Sequence, residues 1–296
     1  MAVPVAGKRP RRPGRLKRLS PLGLLGVALL SLAGLLYLYP LFWLLDASFR
    51  RAVDIFQFPP ALFREPLLTA LRGYTLESFR HAFGHWHVGW AFGVSVLTTL
   101  AGIALTLLVC SLAAYAFAFL EFPGRRALFA AILASMMLPM TTMITPFYRV
   151  LRSLGLTNNL LGLIIPYAAS AFGVFLLRQY FIKIPRSFME AAKVEGAGHL
   201  RIWWSIILPL SRPALAALAI VQFRAIWNDF LYPMIILRSE SLFTLPVRIQ
   251  VMDSQNFNKP YDAIISAGFI TALVPMIAFL VFQRQFIEGL AGGIKE

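Results

Sequence analysis

The side chains of this chain that could do chemistry gather in three short stretches. In QFRAIWNDFLYP, Gln222, Arg224, Trp227, Asn228 and Asp229 crowd into an otherwise apolar run. Arg224 and Asn228 are four residues apart and share a helix face, where guanidinium and amide could meet a polar or anionic group. Asp229, five residues on, points away from Arg224, so the two do not pair within one helix. In HAFGHWH, His81 and His85 have the spacing of a helical metal pair. In MEAAKVEGAGHLRIWWSIILPL, residues 189–210, small residues, glutamates and two glycines separate apolar runs and close on Leu208-Pro209.

A metal site would need a third ligand and supporting carboxylates, so the histidines read as anchors beside a membrane entry point. Acids, histidines and nucleophiles nowhere converge at a spacing that would serve an integral membrane enzyme. The pattern G-x-x-x-x-G-K-[ST] does not occur, so this chain has nothing to cradle nucleotide phosphates. Cys110, the one cysteine, cannot form an internal disulfide and reads as a buried structural thiol.

The elements that must position these groups are membrane helices. Hydrophobic residues make up 58% of the chain and charged residues 14%, outside the range of ordinary soluble domains. Apolar runs of about 20 residues, enough to cross the hydrocarbon as helices, recur near 22–45, 88–119, 126–148, 160–181, 213–237 and 263–283. The formal charge of +15 owes much to KRPRRPGRLKR just ahead of the first run, a positive-inside signature rather than a nucleic-acid arm. The N-terminus is therefore expected in the cytoplasm, and six crossings return the C-terminus there. The loop 47–87 falls outside despite Arg50, Arg51, Arg64, Arg72 and Arg80, which Asp54, Glu65 and Glu77 partly offset. The first run is too long for a signal-peptide core and is read as retained. The expected organisation is a basic tail over 1–20, one membrane domain over 21–287 with an external loop at 239–262, and a cytoplasmic tail over 288–296. Pro139, Pro146, Pro166, Pro233 and Pro275 fall within or beside the runs and predict bends.

Polar groups at membrane depth are costly, so those of the fifth run either line a water-filled path or pair with other helices. By the same parity, 182–212 lies in the cytoplasm. Ser187 and Glu190 have S-x-x-E spacing, which predicts a capping box and a short helix from Phe188. Gly196 and Gly198 end it, and a second short helix runs from His199 to Leu208-Pro209. Together they make a knob projecting from the membrane.

Glu190, Ala191, Ala192, Gly196, Ile206, Leu208 and Pro209 match, position by position, the EAA loop of ABC importer permeases. TNNLLGLIIPY at 157–167, WNDFLYP at 227–233 and QRQFIEGLAGGIKE at 283–296 resemble the MalG-type carbohydrate permeases of that family. The resemblance implies an all-α, polytopic membrane protein with six transmembrane helices, the type I ABC importer permease fold. It implies a subunit that is not itself an enzyme and holds no cofactor, with ATP and magnesium bound by partner ATPases. It further implies a second, MalF-like permease, two cytoplasmic ATPase subunits, an extracytoplasmic solute-binding protein, and a sugar or oligosaccharide as solute. The knob would be the coupling element, the loop 239–262 would help release solute from the binding protein, and the C-terminal tail would reach the ATPase interface. Arg224, Trp227, Asn228 and Tyr167 are the candidate solute-path residues. Arg224 and FGVSV at 92–96 depart from the family pattern: a small or apolar residue is expected at the first, an Asn-Ser pair at the second. A guanidinium at that depth needs a partner, either an acidic sugar or sugar phosphate in the path, or carbonyls and a second subunit. A secondary transporter or channel would explain the helices but not the knob.

Overall fold

A computed structural model describes residues 21–57, 59, 66, 72–255, 257 and 259–291; the basic tail and the last five residues lie outside them. Among the described residues the regular structure is helical, with no strand. The chain divides into two compact units, Met1–Asp46 and Ala47–Glu296. The first is built on α1 (Pro21–Ser48), apolar on every side, with exposed leucines as a lipid-facing helix requires.

The second unit is organised around α3 (Val88–Phe119), at 32 residues about 48 Å long. Its buried positions include Ala91, Ser95, Thr98, Gly102, Thr106, Cys110, Ala114 and Ala118. Recurring every three or four residues, they form a seam of small side chains along one helix face. Such a seam lets helices approach closely where no hydrophobic effect drives them together. Against α3 pack α6 (Leu160–Tyr167), α7 (Ala171–Phe181) and α10 (Arg212–Trp227). Thr98 and Thr106 return their hydroxyls to carbonyls one turn back, at 2.9 and 2.7 Å, which satisfies them in an apolar setting. α13 (Tyr261–Ala291) packs on α10 and on the short α2 (Glu77–Gly84), and its backbone runs past 287, where a tail was expected to begin.

Four helical stretches are by themselves long and apolar enough to cross a membrane: Leu22–Ser48, Val88–Phe119, Leu160–Phe181 and Tyr261–Gln283. The third and fifth apolar runs are not continuous helices. The third breaks into α4 (Arg125–Ser135) and α5 (Met140–Ser153), because Pro139 disfavours helical backbone at Leu138 and is itself extended, with φ −61° and ψ 131°. The fifth breaks at Asn228–Phe230, between α10 and α11 (Leu231–Ile236). Pro233 has no N–H to give the Asp229 carbonyl one turn back.

At the end of the bundle that carries α2, the segment 239–262 is ordered helix over α12 (Leu245–Asp253). The first N–H of α12 has no partner in its own helix. It donates to Ser95 Oγ at 2.7 Å, so the serine of FGVSV caps a helix distant in sequence. Trp90 Nε1 donates to Ser241 O at 2.6 Å, and Arg248 bridges to Glu240 at 2.8 Å. His81 Nδ1 meets Asp262 Oδ2 at 2.8 Å, fastening α2 to the start of α13; His85 lies 5.7 Å from His81, ring to ring. Among the described residues no third ligand joins them.

Candidate functional site

The knob begins with α8 (Ser187–Val194). The expected capping box does not form. Pro185 and Arg186 already start the turn, with Phe188 N donating to Pro185 O and Met189 N to Arg186 O, so Arg186 stands at the cap position with helical backbone. Ser187 is then inside the helix, where its hydroxyl cannot reach forward as an extended cap residue does. This leaves Glu190 exposed, its carboxylate without a hydrogen bond or ion pair to any described residue.

The helix ends as a Schellman turn. Gly196 takes φ +80°, Ala197 N donates to Ala192 O at 2.9 Å and Gly196 N to Lys193 O at 3.0 Å. Gly198, also expected to terminate the helix, instead precedes the next one in ordinary extended backbone, φ −73° and ψ 164°. There α9 (His199–Ile202) widens into a π-helical turn over Trp203–Ile207 before a last α-turn, Leu208–Leu210. The cause is Pro209, whose ring would press on the carbonyl four residues back in a tight helix. Leu208 N accordingly reaches five residues back, to Trp203 O. At Ser211 the chain turns by 81° into α10.

One face of the knob is locked into the bundle. Met189, Ala192, Ile202, Trp203 and Ile207 are buried with Phe117, Ala118, Phe181 and Ile184. Tyr115 OH meets His199 Nδ1 at 2.9 Å. Arg178 donates to Phe117 O at 3.1 Å while its guanidinium lies 4.2 Å over the Phe129 ring. The other face is bare: Phe188, Val194, Leu200 and Trp204 are exposed, Val194 to 90%. Apolar side chains left in this way on a projecting element mark an interaction surface. Of the motif residues, Glu190, Ala191, Gly196 and Pro209 are exposed, Ala192 is buried, and Ile206 and Leu208 pack against the core.

The polar cluster of the fifth run separates into two groups. Gln222 Nε2 donates to Ser170 Oγ at 2.9 Å, and that oxygen also caps α7 through Gly173 N. Trp227 is 2% exposed and donates to Thr271 O at 3.1 Å. Tyr167 OH donates to Asp229 Oδ2 at 2.7 Å, Asp229 Oδ1 accepts from Tyr232 N, and Tyr167 O accepts from Thr106 Oγ1 at 2.8 Å. These residues pair between helices and pin the break in the fifth run. Arg224 and Asn228 are exposed instead, with Asn228 Nδ2 bonded to Arg224 O at 2.9 Å. Ser95, Thr106 and Tyr232 were invisible as site residues in sequence, since their partners stand far away along the chain.

A family model described as "Binding-protein-dependent transport system inner membrane component" matches residues 109–291. The chain is 35% identical over 262 residues to the arabinooligosaccharides transport system permease protein AraQ of Bacillus subtilis, covering 88% of this chain and 92% of that protein. It is 32% identical over 277 residues to the sn-glycerol-3-phosphate transport system permease protein UgpE of Yersinia pestis, covering 90% and 95%. The diacetylchitobiose uptake system permease protein NgcG of Streptomyces coelicolor is 30% identical over 269 residues, covering 90% and 86%. Among solved structures, a bacterial ABC transporter involved in import of the acidic polysaccharide alginate aligns with a TM-score of 0.79 at 24% identity, over 93% of this chain and 100% of that one.

Proposed function

This chain belongs to the family of binding-protein-dependent transport system inner membrane components, and from that membership we propose that it is the permease subunit of an ATP-driven importer of sugars or oligosaccharides. The observation that carries the coupling role is the two-faced knob, buried on one side by Met189, Ala192, Ile202, Trp203 and Ile207 and bare on the other at Phe188, Val194, Leu200 and Trp204. Its bare face suits the groove of a cytoplasmic ATPase subunit, where Ala191 permits close approach and Glu190 is free to meet a partner group. Two such ATPases, a second permease and an extracytoplasmic solute-binding protein complete the assembly. Both termini then face the cytoplasm, and α2, α12 and the loop 239–262 face the binding protein. ATP and magnesium belong to the ATPase partners.

Because the knob is fixed to the ends of α3 and α7 and runs through the 81° turn into α10, a push on it moves these helices together rather than flexing a loop. ATP-driven closure of the ATPases is thereby converted into a switch between inward-facing and outward-facing states. By linkage, closure biases that switch only by the difference in coupling free energy between the two states.

In proteoliposomes containing the whole assembly, uptake is expected to require ATP inside the ATPase compartment and to survive an ionophore. Uptake that persists without ATP and collapses with the ionophore would assign the chain to the secondary transporters.

A further inference from the structure

Resting on the importer reading, the geometry points to Arg224 as an anion-recognition residue of the solute path, and hence to a solute that bears a carboxylate or phosphate. Three arginines of the bundle are engaged by neighbouring helices or loops: Arg178 with Phe117 O, Arg238 with Tyr148 OH, Arg248 with Glu240. Arg224 is exposed, and its guanidinium makes no hydrogen bond, ion pair or ring contact with a described residue. The acid next to it in sequence, Asp229, is held by Tyr167 OH and Tyr232 N. Arg224 lies twelve residues into α10, which starts at Arg212 beside the knob; that is about 18 Å along the helix axis, near the middle of the bilayer. A lipid headgroup does not reach that depth.

What surrounds Arg224 is a place for a polar ligand. One turn on, Asn228 is exposed, and its amide N–H group is bonded to Arg224 O, which leaves its side-chain oxygen to accept. The helix breaks immediately afterwards. Broken backbone at membrane depth persists only where protein buries it or water reaches it, and transporters use such breaks near the midplane for binding. Tyr167 and Tyr232 hold Asp229 at the break, whereas Arg224 and Asn228 beside it are left exposed. Arg224 also borders a groove of about 420 Å³, almost wholly apolar, lined by Ile103, Ile220, Phe223, Pro275 and Phe279 among others. A guanidinium fork beside apolar and aromatic walls fits an anionic sugar, whose oxygens it grips in pairs while ring faces lie on the walls.

The test uses the complete importer in ATP-loaded proteoliposomes and two matched pairs of solutes: a uronic-acid disaccharide with its carboxyl-reduced neutral counterpart, and a hexose phosphate with its parent hexose. The parent protein is expected to prefer the charged member of one pair by about tenfold or more, and which pair responds distinguishes carboxylate from phosphate. Arg224→Gln should bring that ratio close to one, and Arg224→Lys should retain part of it. Co-purification with the second permease should be unaffected in both variants. A parent that prefers neutral sugars, or takes up neither pair while ATP drives entry of another sugar, overturns the inference and leaves the importer reading intact. Arg224→Gln that releases the second permease overturns it in favour of an acid on that subunit. If ATP drives no sugar uptake in the parent, the importer reading itself fails.

Discussion

Replacing Gly196 with aspartate is expected to leave the permease in the membrane and to reduce transport by about a hundredfold or more. The position has φ +80°, where an L-residue costs roughly 1 to 2 kcal/mol, and nothing lies within 4 Å of the site of a new Cβ. Aspartate is among the residues best tolerated there, so the Schellman turn survives with a modest loss. The effect falls on docking. The new carboxylate joins the exposed Glu190 and Glu195 on the knob, and an unpaired charge enclosed at an interface costs about 2 to 5 kcal/mol. Immunoblotting of membranes together with ATP-driven uptake measures both halves of the expectation. Normal transport at normal level would mean that the knob is not the coupling element.

The second large effect is expected at Gly162, and there it is the fold that fails. A Cβ at this position would overlap the Leu156 carbonyl oxygen, a backbone atom that no rotamer change can move aside. The turn holding Leu156 is itself committed. Asn158, at φ +55°, accepts from Arg238 N and Ser239 N through its side chain, and Gly162 O receives the hydroxyl of Tyr232. Gly162→Ala must therefore push apart α6, the 154–158 turn and the segment after α11, at about 3 kcal/mol or more. The expected readout in detergent is a fall in melting temperature on the order of 10 °C, with a lower membrane level. Gly198→Ala is the control: with φ −73° and nothing within 4 Å, it should melt like the parent. Equal melting of the two variants would show that the close approach at Gly162 does not stabilise the bundle.

What the sequence made legible was set by range. The positions of the apolar runs, the knob and its glycine turn follow from composition and near-neighbour spacing, and helices occupy all of them. The capping box failed because Pro185, two residues ahead of the motif, starts the helix early. The breaks in the third and fifth runs were signalled by Pro139 and Pro233, but proline alone does not say whether a membrane helix bends or stops; the partners at the break decide. For the fifth run these are Tyr167 and Tyr232, which hold Asp229. Ser95 illustrates the same limit: as part of FGVSV it looked like a departure from a pattern, and only packing brings it to the first N–H of α12. Pairings across the bundle leave no trace in local spacing. Trp227 and Tyr167, chosen as path residues from residue type, are engaged between helices, whereas Arg224 and Asn228 remain exposed.

The most direct test of the coupling account is a cross-link from the knob. The chain has a single cysteine, Cys110, buried against carbonyls of Ala168 and Ser170, so Val194→Cys adds a lone accessible thiol on the bare face. In membranes containing the complete assembly, a short bifunctional reagent is predicted to join position 194 to the ATPase subunit, with a yield that changes when ATP is added. Failure to capture the ATPase from position 194 and from position 200, also exposed on that face, in an assembly that still transports, would contradict the account.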